Sequence, residues 1–310
     1  MNIEKVGPNE YSKMFNNPYI PYNTVAFNQL NRDKCNLLEF YLFYEGKVKL
    51  GLIAGIIGHS LLSPFSAPFA SFSNLKNNIN VHLIIDAIAA LENYSLDQHI
   101  DSLKFVLPPG FYYEHFISKL IYAFYYNHFS VLIDLNQVFY TRDFVKYENN
   151  EIDRRIRNKL KKAIQSDLEF KKVNSMEEYK VVYDVIRQNK EAKNRPVRMT
   201  FEQVLEMRVL VNIDFFMVSC RNMPIASSIV YNYNPQIVHI IYWGDKPGCE
   251  HYYPMNFLAW NIFKYYRDKN IEIIDLANSS ENGVPNFGLF NFKESIGCSV
   301  IPKCTFIKKI

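Results

Sequence analysis

Apolar and polar positions along the chain fall into two similar series of segments. Residues 37–44 (LLEFYLFY) alternate, Gly46 marks a turn, and residues 47–58 (KVKLGLIAGIIG) form a mostly apolar run. That pattern predicts a hairpin with a buried second strand. Residues 63–72 (SPFSAPFASF) carry too much proline for a central strand and read as an edge strand or ordered loop. Over residues 80–94, Leu83, Ile84, Ala87, Ile88 and Leu91 recur at helical spacing behind Asn80, a candidate N-cap. A strand at 102–107, a stop at Pro108-Pro109-Gly110, an apolar helix at 114–129 and a strand at 131–139 complete the first series.

A polar stretch at 140–150 precedes the second series, and the chain is predicted to divide into domains at 1–147 and 148–310. The series opens with a basic helix at 151–167. Ile152, Ile156, Leu160 and Ile164 form its apolar stripe, while Arg154, Arg155, Arg157, Lys159, Lys161 and Lys162 occupy the rest. A strand at 168–173 follows, then helices at 176–190 and 200–210, with Thr200 and Gln203 matching a capping box. Segments 214–220 and 224–233 pair as a hairpin around Arg221-Asn222. A strand at 237–243, a helix at 255–269, a strand at 271–276, a helical stretch at 291–296 and a strand at 300–307 finish the chain. Each series contains a strand–helix–strand passage, which implies a parallel pair because antiparallel neighbours need only a turn. The fold class is α/β: two mixed sheets flanked by helices, in tandem.

At 310 residues the chain exceeds what one core usually holds, which agrees with two domains. With 48% hydrophobic and 21% charged residues it is a folded chain rather than a disordered one. A net charge of +4 is too small for an overall nucleic-acid coat, so any polyanion contact has to be local. Five scattered cysteines, with no C-x-x-C and no H-E-x-x-H, argue against a disulfide framework and a metal centre. The longest apolar run, 50–57, falls far short of the roughly 20 residues that cross a bilayer. The polar start MNIEKVGPNEYSK lacks the apolar segment of a signal peptide. A cytoplasmic location, with no transmembrane segment and no metal, is expected.

Several short motifs occur in order across nearly the whole chain: Ser63-Pro64-Phe65-Ser66-Ala67-Pro68-Phe69, Leu107-Pro108-Pro109, Pro224-Ile225-Ala226-Ser227, Tyr242-Trp243-Gly244-Asp245 and Asp275-Leu276. Near the C-terminus come Gly288-Leu289-Phe290-Asn291-Phe292-Lys293 and Ile296-Gly297. In these the sequence resembles the Gcn5-related N-acetyltransferase (GNAT) superfamily, in particular its tandem-domain FemAB-like branch of peptidoglycan-bridge acyltransferases. The resemblance implies two GNAT-like domains, the first degenerate and on the acceptor side, the second holding the donor. It implies that the strands at 237–243 and 271–276 splay apart, freeing backbone amides to polarise a thioester or ester carbonyl. It also implies a helix N-terminus near Met255 that meets phosphate.

The implied activity is acyl or aminoacyl transfer to an amine of a cell-envelope precursor or amino sugar, by direct attack in a ternary complex. Acetyl-CoA-using members carry an R/Q-x-x-G-x-G/A loop. Here residues 245–254 read DKPGCEHYYP, with Lys246 and Gly248 usable and Glu250 repelling phosphate. The donor is therefore either an acyl-CoA or an aminoacyl-tRNA, and acetyl-CoA-dependent N-acetylation of a small amine stands beside aminoacyl transfer. A non-catalytic glycan- or ligand-binding module is the reading outside enzymes.

On this resemblance Lys293 contacts the donor phosphate or stabilises the oxyanion as a fixed positive charge, and Asp245 or His251 accepts the proton of the amine. Tyr242, Trp243, Gly244, Lys246, Gly248, Met255 and Asn256 would bind the donor. Arg154, Arg155, Arg195 and Arg198 would contact phosphates of a nucleotide- or lipid-linked sugar acceptor or of tRNA. Asn278, Ser279 and Asn282 would hydrogen-bond a small-molecule or sugar acceptor. Without the resemblance, Lys293 reads as a solvated helix lysine, Asp245 as a turn aspartate and 278–282 as ordinary loop.

Overall fold

The computed structural model describes residues 1–16, 18–75 and 78–310. Its main strands up to the mid-chain are β1 (Asn2–Val6), β2 (Leu37–Glu45), β3 (Lys47–Ile57), β4 (Ser60–Ser63), β5 (Ser102–Val106) and β6 (Ser130–Tyr140). They are followed by β7 (Leu168–Val173), β8 (Asn212–Cys220), β9 (Met223–Asn232), β10 (Ile237–Asp245), β11 (Ile273–Asn278) and β12 (Ser299–Lys309). The principal helices are α1 (Val81–Asp97), α2 (Glu114–Tyr126), α3 (Arg154–Ile164), α4 (Met176–Ala192), α5 (Phe201–Glu206), α6 (Pro254–Arg267) and α7 (Phe287–Ser295).

Two compact units result: residues 1–135, 280–284 and 301–310 make the first, 136–279 and 285–300 the second. The join thus lies at 135/136 rather than 147/148, and the C-terminal strand returns to the first unit. The polar stretch after β6 has the composition of a linker, but its few apolar residues are core. Phe144 is buried, and Tyr147 packs against the second unit's cluster and donates to the Ile296 carbonyl at 2.7 Å.

In the first unit the strand order is β1-β2-β3-β4-β5-β12. All pairs are antiparallel except β4 and β5, which run parallel from Ser60↔Ser102 to Ser63↔Phe105. The crossover helix α1 buries Leu83, Ile84, Ala87, Ile88 and Leu91, the positions its spacing assigned. Asn80 stands at the N-cap without a side-chain cap bond. Beyond Ser63 and a cis peptide to Pro64 the proline-rich run is an ordered loop.

In the second unit the order is β6-β11-β10-β9-β8-β7, with β10 and β11 the parallel pair joined through α6. The β8–β9 hairpin turns on Arg221 and Asn222, both at positive φ (48° and 65°), which suits the right-handed twist of the flanking strands. The capping box of Thr200 and Gln203 starts α5, and Asp153 caps α3 by accepting from the Arg155 N–H at 2.7 Å. The apolar stripe of α3 is shorter than its spacing suggested. Ile156 is buried and Ile152 and Leu160 pack on the core, but Ile164, at the helix end, is 54% exposed. No helix among the described residues is long and apolar enough to cross a membrane.

Candidate active site

The parallel ladder between β10 and β11 has three rungs, Ile237↔Ile273, Val238↔Ile274 and His239↔Asp275, and then stops. Beyond it β10 runs on to Asp245 and β11 to Asn278. Two local irregularities drive the strands apart. On β10 the pairing with β9 passes from Ile229↔Tyr242 to Val230↔Ile240, so Ile241 is an extra residue. On β11 Ala277 adopts φ +59°, and the register with β6 jumps from Asp275↔Val138 to Asn278↔Asn136. Such bulges bend a strand and end its pairing. The Asp275 carboxylate holds the second one in place: its Oδ1 accepts from the Ala277 N–H at 2.8 Å and from Asn136 Nδ2 at 2.7 Å.

A cavity of about 520 Å³ opens at this fork. Residues 240–245 of β10, 276–278 of β11, the last turn of α4, the first turn of α6 and α7 line it. The fork therefore leaves residues 240–245 of β10 without a β11 partner along a cavity wall.

Lys293 enters the cavity from α7, whose N-terminus is fixed by Asn286 accepting from the Leu289 N–H at 3.1 Å. The side chain is 1% exposed. Its Nζ donates to the carbonyls of Ala277 (2.9 Å) and Asn278 (3.1 Å). Burial lowers its pKa to about 7, so its charge is not fixed near neutrality. On the β10 side of the same cavity, burial raises the Asp245 carboxyl above its ordinary value. Asn189 Nδ2 donates to Asp245 Oδ1 at 2.8 Å and to its carbonyl at 2.7 Å. Gly244 permits that contact, because a Cβ there would lie 2.7 Å from Asn189 Cγ.

Helix α6 starts with Pro254 at its first position, and its first turn brings Asn256 into the cavity wall. Asn256 is 8% exposed and its Nδ2 has no hydrogen-bond partner. An amide donor buried and unsatisfied beside a helix N-terminus is a place for an anionic or carbonyl oxygen. Lys159 and Lys162 of α3 each lie 5.9 Å from the ring centre of Tyr253, a residue of the cavity lining, which sets the basic helix behind that part of the wall.

Lys293, Asp245, Tyr242, Trp243, Gly244, Met255, Asn256, Asn278 and Arg195 thus share one cavity. Lys246, Gly248 and His251 do not line it. Their loop closes on itself: the Gly248 N–H donates to Glu250 Oε1 at 3.2 Å, and the His251 ring packs at a tilt of 42° against Tyr252 with centres 3.9 Å apart. Arg154 and Arg155 are exposed on α3, where Arg155 faces Asp153, and Arg198 lies outside the lining. Ser279 is buried and donates from Oγ to Gln137 Oε1, so its hydroxyl is already used inside the second unit. Asn282, at φ +52°, belongs to the first unit. Sequence reasoning passed over Asn189, Lys190 and Lys193, which share one face at i, i+1, i+4 spacing across the end of α4 and its C-cap but carry no local mark of burial.

No family model and no curated protein matches the chain. Solved structures do. FemX superposes with a TM-score of 0.66 at 9% identity, over 100% of this chain and 98% of that one. The L-PGS of Bacillus licheniformis gives 0.63 at 9% identity, over 99% and 93%. A tandem GNAT protein from the clavulanic acid biosynthesis pathway gives 0.55 at 7% identity, over 99% and 98%. At these identities the likeness is one of fold. The chain has the tandem GNAT fold, a mixed α/β architecture.

Proposed function

We propose that the protein transfers an aminoacyl group from tRNA to an amine within a ternary complex. The observation that carries this reading is the end of the β10–β11 ladder at His239↔Asp275, which leaves an open strand edge along a cavity containing Lys293. An ester carbonyl lying in the fork meets backbone N–H groups of β10 and the third N–H of a protonated Lys293. The acceptor nitrogen attacks the carbonyl carbon and its proton passes to Asp245. As the tetrahedral intermediate collapses, the new C–N bond stays, the C–O bond to the ribose breaks, and the ribose oxygen takes up the proton that Asp245 received. Positioning and charge stabilisation supply the rate, with no step assigned to a metal.

A tRNA donor is favoured over acyl-CoA by two features. In the 245–254 loop, Glu250 occupies the Gly248 N–H that a pyrophosphate would use, and its carboxyl is held below the ordinary range by backbone N–H bonds. Meanwhile the basic face of α3 lies behind the cavity wall at Tyr253 and offers a track for a phosphate backbone. Such a donor sets the reaction in the cytoplasm. An acceptor amine belonging to a cell-envelope component is what the resemblance to FemAB-like peptidoglycan-bridge acyltransferases implies, and FemX is among the structures that share this fold.

Binding and discharge of bulk tRNA charged with labelled amino acids test the reading. Charged tRNA is expected to bind with an affinity that falls steeply as salt rises, and added amines are expected to speed its discharge. Acetyl-CoA is expected to give no heat at millimolar concentration. Turnover of acetyl-CoA without any tRNA binding would replace this donor with coenzyme A, and consumption of neither would leave a silent binding module.

A further inference from the structure

We propose that Lys190, with Lys193 and Arg195, forms an oxyanion-binding end of the cavity, and that the acceptor docks a carboxylate or phosphate there. Calling that ligand the acceptor rests on the acyl-transfer reading, whereas the anion site itself does not.

All three cations line the same cavity as Lys293. Lys190 and the nearby Lys193 end α4, and Arg195 follows, its N–H bonded to the Lys190 carbonyl at 2.9 Å. The acidic residues in the lining are Asp245 and Glu250. Asp245 is engaged by Asn189 and Glu250 is closed onto the Gly248 N–H, and of the three cations it is Lys193 whose charge acts on both carboxylates. Lys193 donates to Asn189 Oδ1 at 3.2 Å. The ammonium of Lys190 has neither an ion pair nor a side-chain hydrogen bond among the described residues, although it is half-buried.

Lysines at a helix C-terminus complement the helix dipole, which explains basic residues here but not the burial of one. A solvated lysine would serve the dipole equally well, while an unpaired cation withdrawn from water costs free energy. Burial lowers the Lys190 pKa, and Lys193 and Arg195 lower it further. The attraction of an incoming oxyanion opposes the sum of these effects. It also offsets the repulsion by which Lys190 lowers the pKa of Lys293, so anion docking favours the charged form of the catalytic lysine.

Calorimetric titration of the full chain with inorganic phosphate, and separately with acetate, tests the site without any acyl donor. One saturable site is expected. Lys190→Met should weaken it by about tenfold or more, and Lys193→Met by about threefold. Lys190→Arg should stay within about threefold of the parent, because it keeps the charge. Exposed Lys269→Met, after the C-terminal end of α6, is expected to change nothing. Tighter binding of phosphate points to a phosphate-bearing acceptor and tighter binding of acetate to a carboxylate. Undiminished binding in Lys190→Met, or no saturable binding of either ion by the parent, overturns the proposal. If the ions bind as described while no acyl transfer is found, the site stands and the acyl-transfer reading falls. Transfer to neutral amines with no ion binding does the reverse, removing the anion site and keeping the acyl transfer.

Discussion

The carbonyl that accepts from Lys293 Nζ at 2.9 Å belongs to Ala277, a residue at φ +59° on the strand that leaves the ladder. Fork and lysine are therefore one construction. The left-handed residue turns β11 away from β10 and at the same time aims its carbonyl at the buried amine. A lysine withdrawn from water needs such acceptors, and a strand edge needs a reason to part from its neighbour. One backbone conformation answers both.

Ala277→Gly follows from this geometry. A left-handed alanine is strained by roughly 1–2 kcal/mol, part of which glycine gives back through the freer unfolded chain. A net gain in stability of about 0.5–1 kcal/mol in chemical denaturation is expected, with Lys293 still bonded to the same carbonyl. A loss of stability would mean that the methyl group, and not the conformation, matters at this position.

On the proposed mechanism Lys293 should make activity and stability depend on pH in opposite directions. With a folded pKa of about 7 against an ordinary 10.5, the unfolded chain binds more protons between those values. Stability from this group therefore rises as pH climbs from 7 to 10.5. Oxyanion stabilisation needs the charged form, so kcat/KM should fall through an alkaline limb near 7. Lys293→Met should flatten the stability slope and lower kcat/KM by about 100-fold or more. Lys293→Arg, charged throughout, should lack the limb at whatever residual rate it retains. Persistence of the limb in that variant would assign it to another group.

Much of the fold was legible because it depends on periodicity. The parallel crossovers through α1 and α6 and the capping box at Thr200 follow from apolar spacing and local residue types, whereas the place where 237–243 and 271–276 part was implied only by the family resemblance. What escaped depends on partners distant in the chain. Lys293 reads as a solvated helix residue until the Ala277 and Asn278 carbonyls are set beside it. Ser279 reads as a loop hydroxyl until Gln137 takes it up, from 142 positions away. Asn189 and Lys190 form a polar helix end whose neighbour, Gly244, is some 55 residues downstream. Nothing local marks such residues as buried.

Gly244 and Asn189 are expected to be coupled. An added Cβ at 244 meets Asn189 Cγ at 2.7 Å, and Asn189 cannot yield because Asp245 holds it twice. Gly244→Ala should cost about 1–3 kcal/mol and reduce kcat by displacing Asp245. Asn189→Gly should be costly by itself, since it frees the Asp245 carboxyl and removes a helical side chain. In the double variant the clash is gone, so the two penalties should fall short of additivity by about 1 kcal/mol or more. Strict additivity in denaturant melts would show that the two residues do not meet.

On the proposed mechanism Asp275 acts by positioning rather than by touching the reacting atoms, and Asp275→Asn separates its two effects. Its Oδ1 anchors the bulge through Ala277 and Asn136, which asparagine can still do with its own oxygen, while its charge raises the pKa of Lys293. Removing the charge should therefore move the alkaline limb of kcat/KM to lower pH and leave the acidic side in place. The pH dependence of stability should shift the same way, because the folded pKa of Lys293 falls further below 10.5. Losing the anchor as well, in Asp275→Ala, should add about 1–3 kcal/mol of destabilisation from the unsatisfied Asn136 amide and Ala277 N–H. A purely structural role predicts that both variants lose stability while the limb stays where it is. A limb displaced in Asp275→Asn at near-parental stability is the result that ties the carboxylate to Lys293.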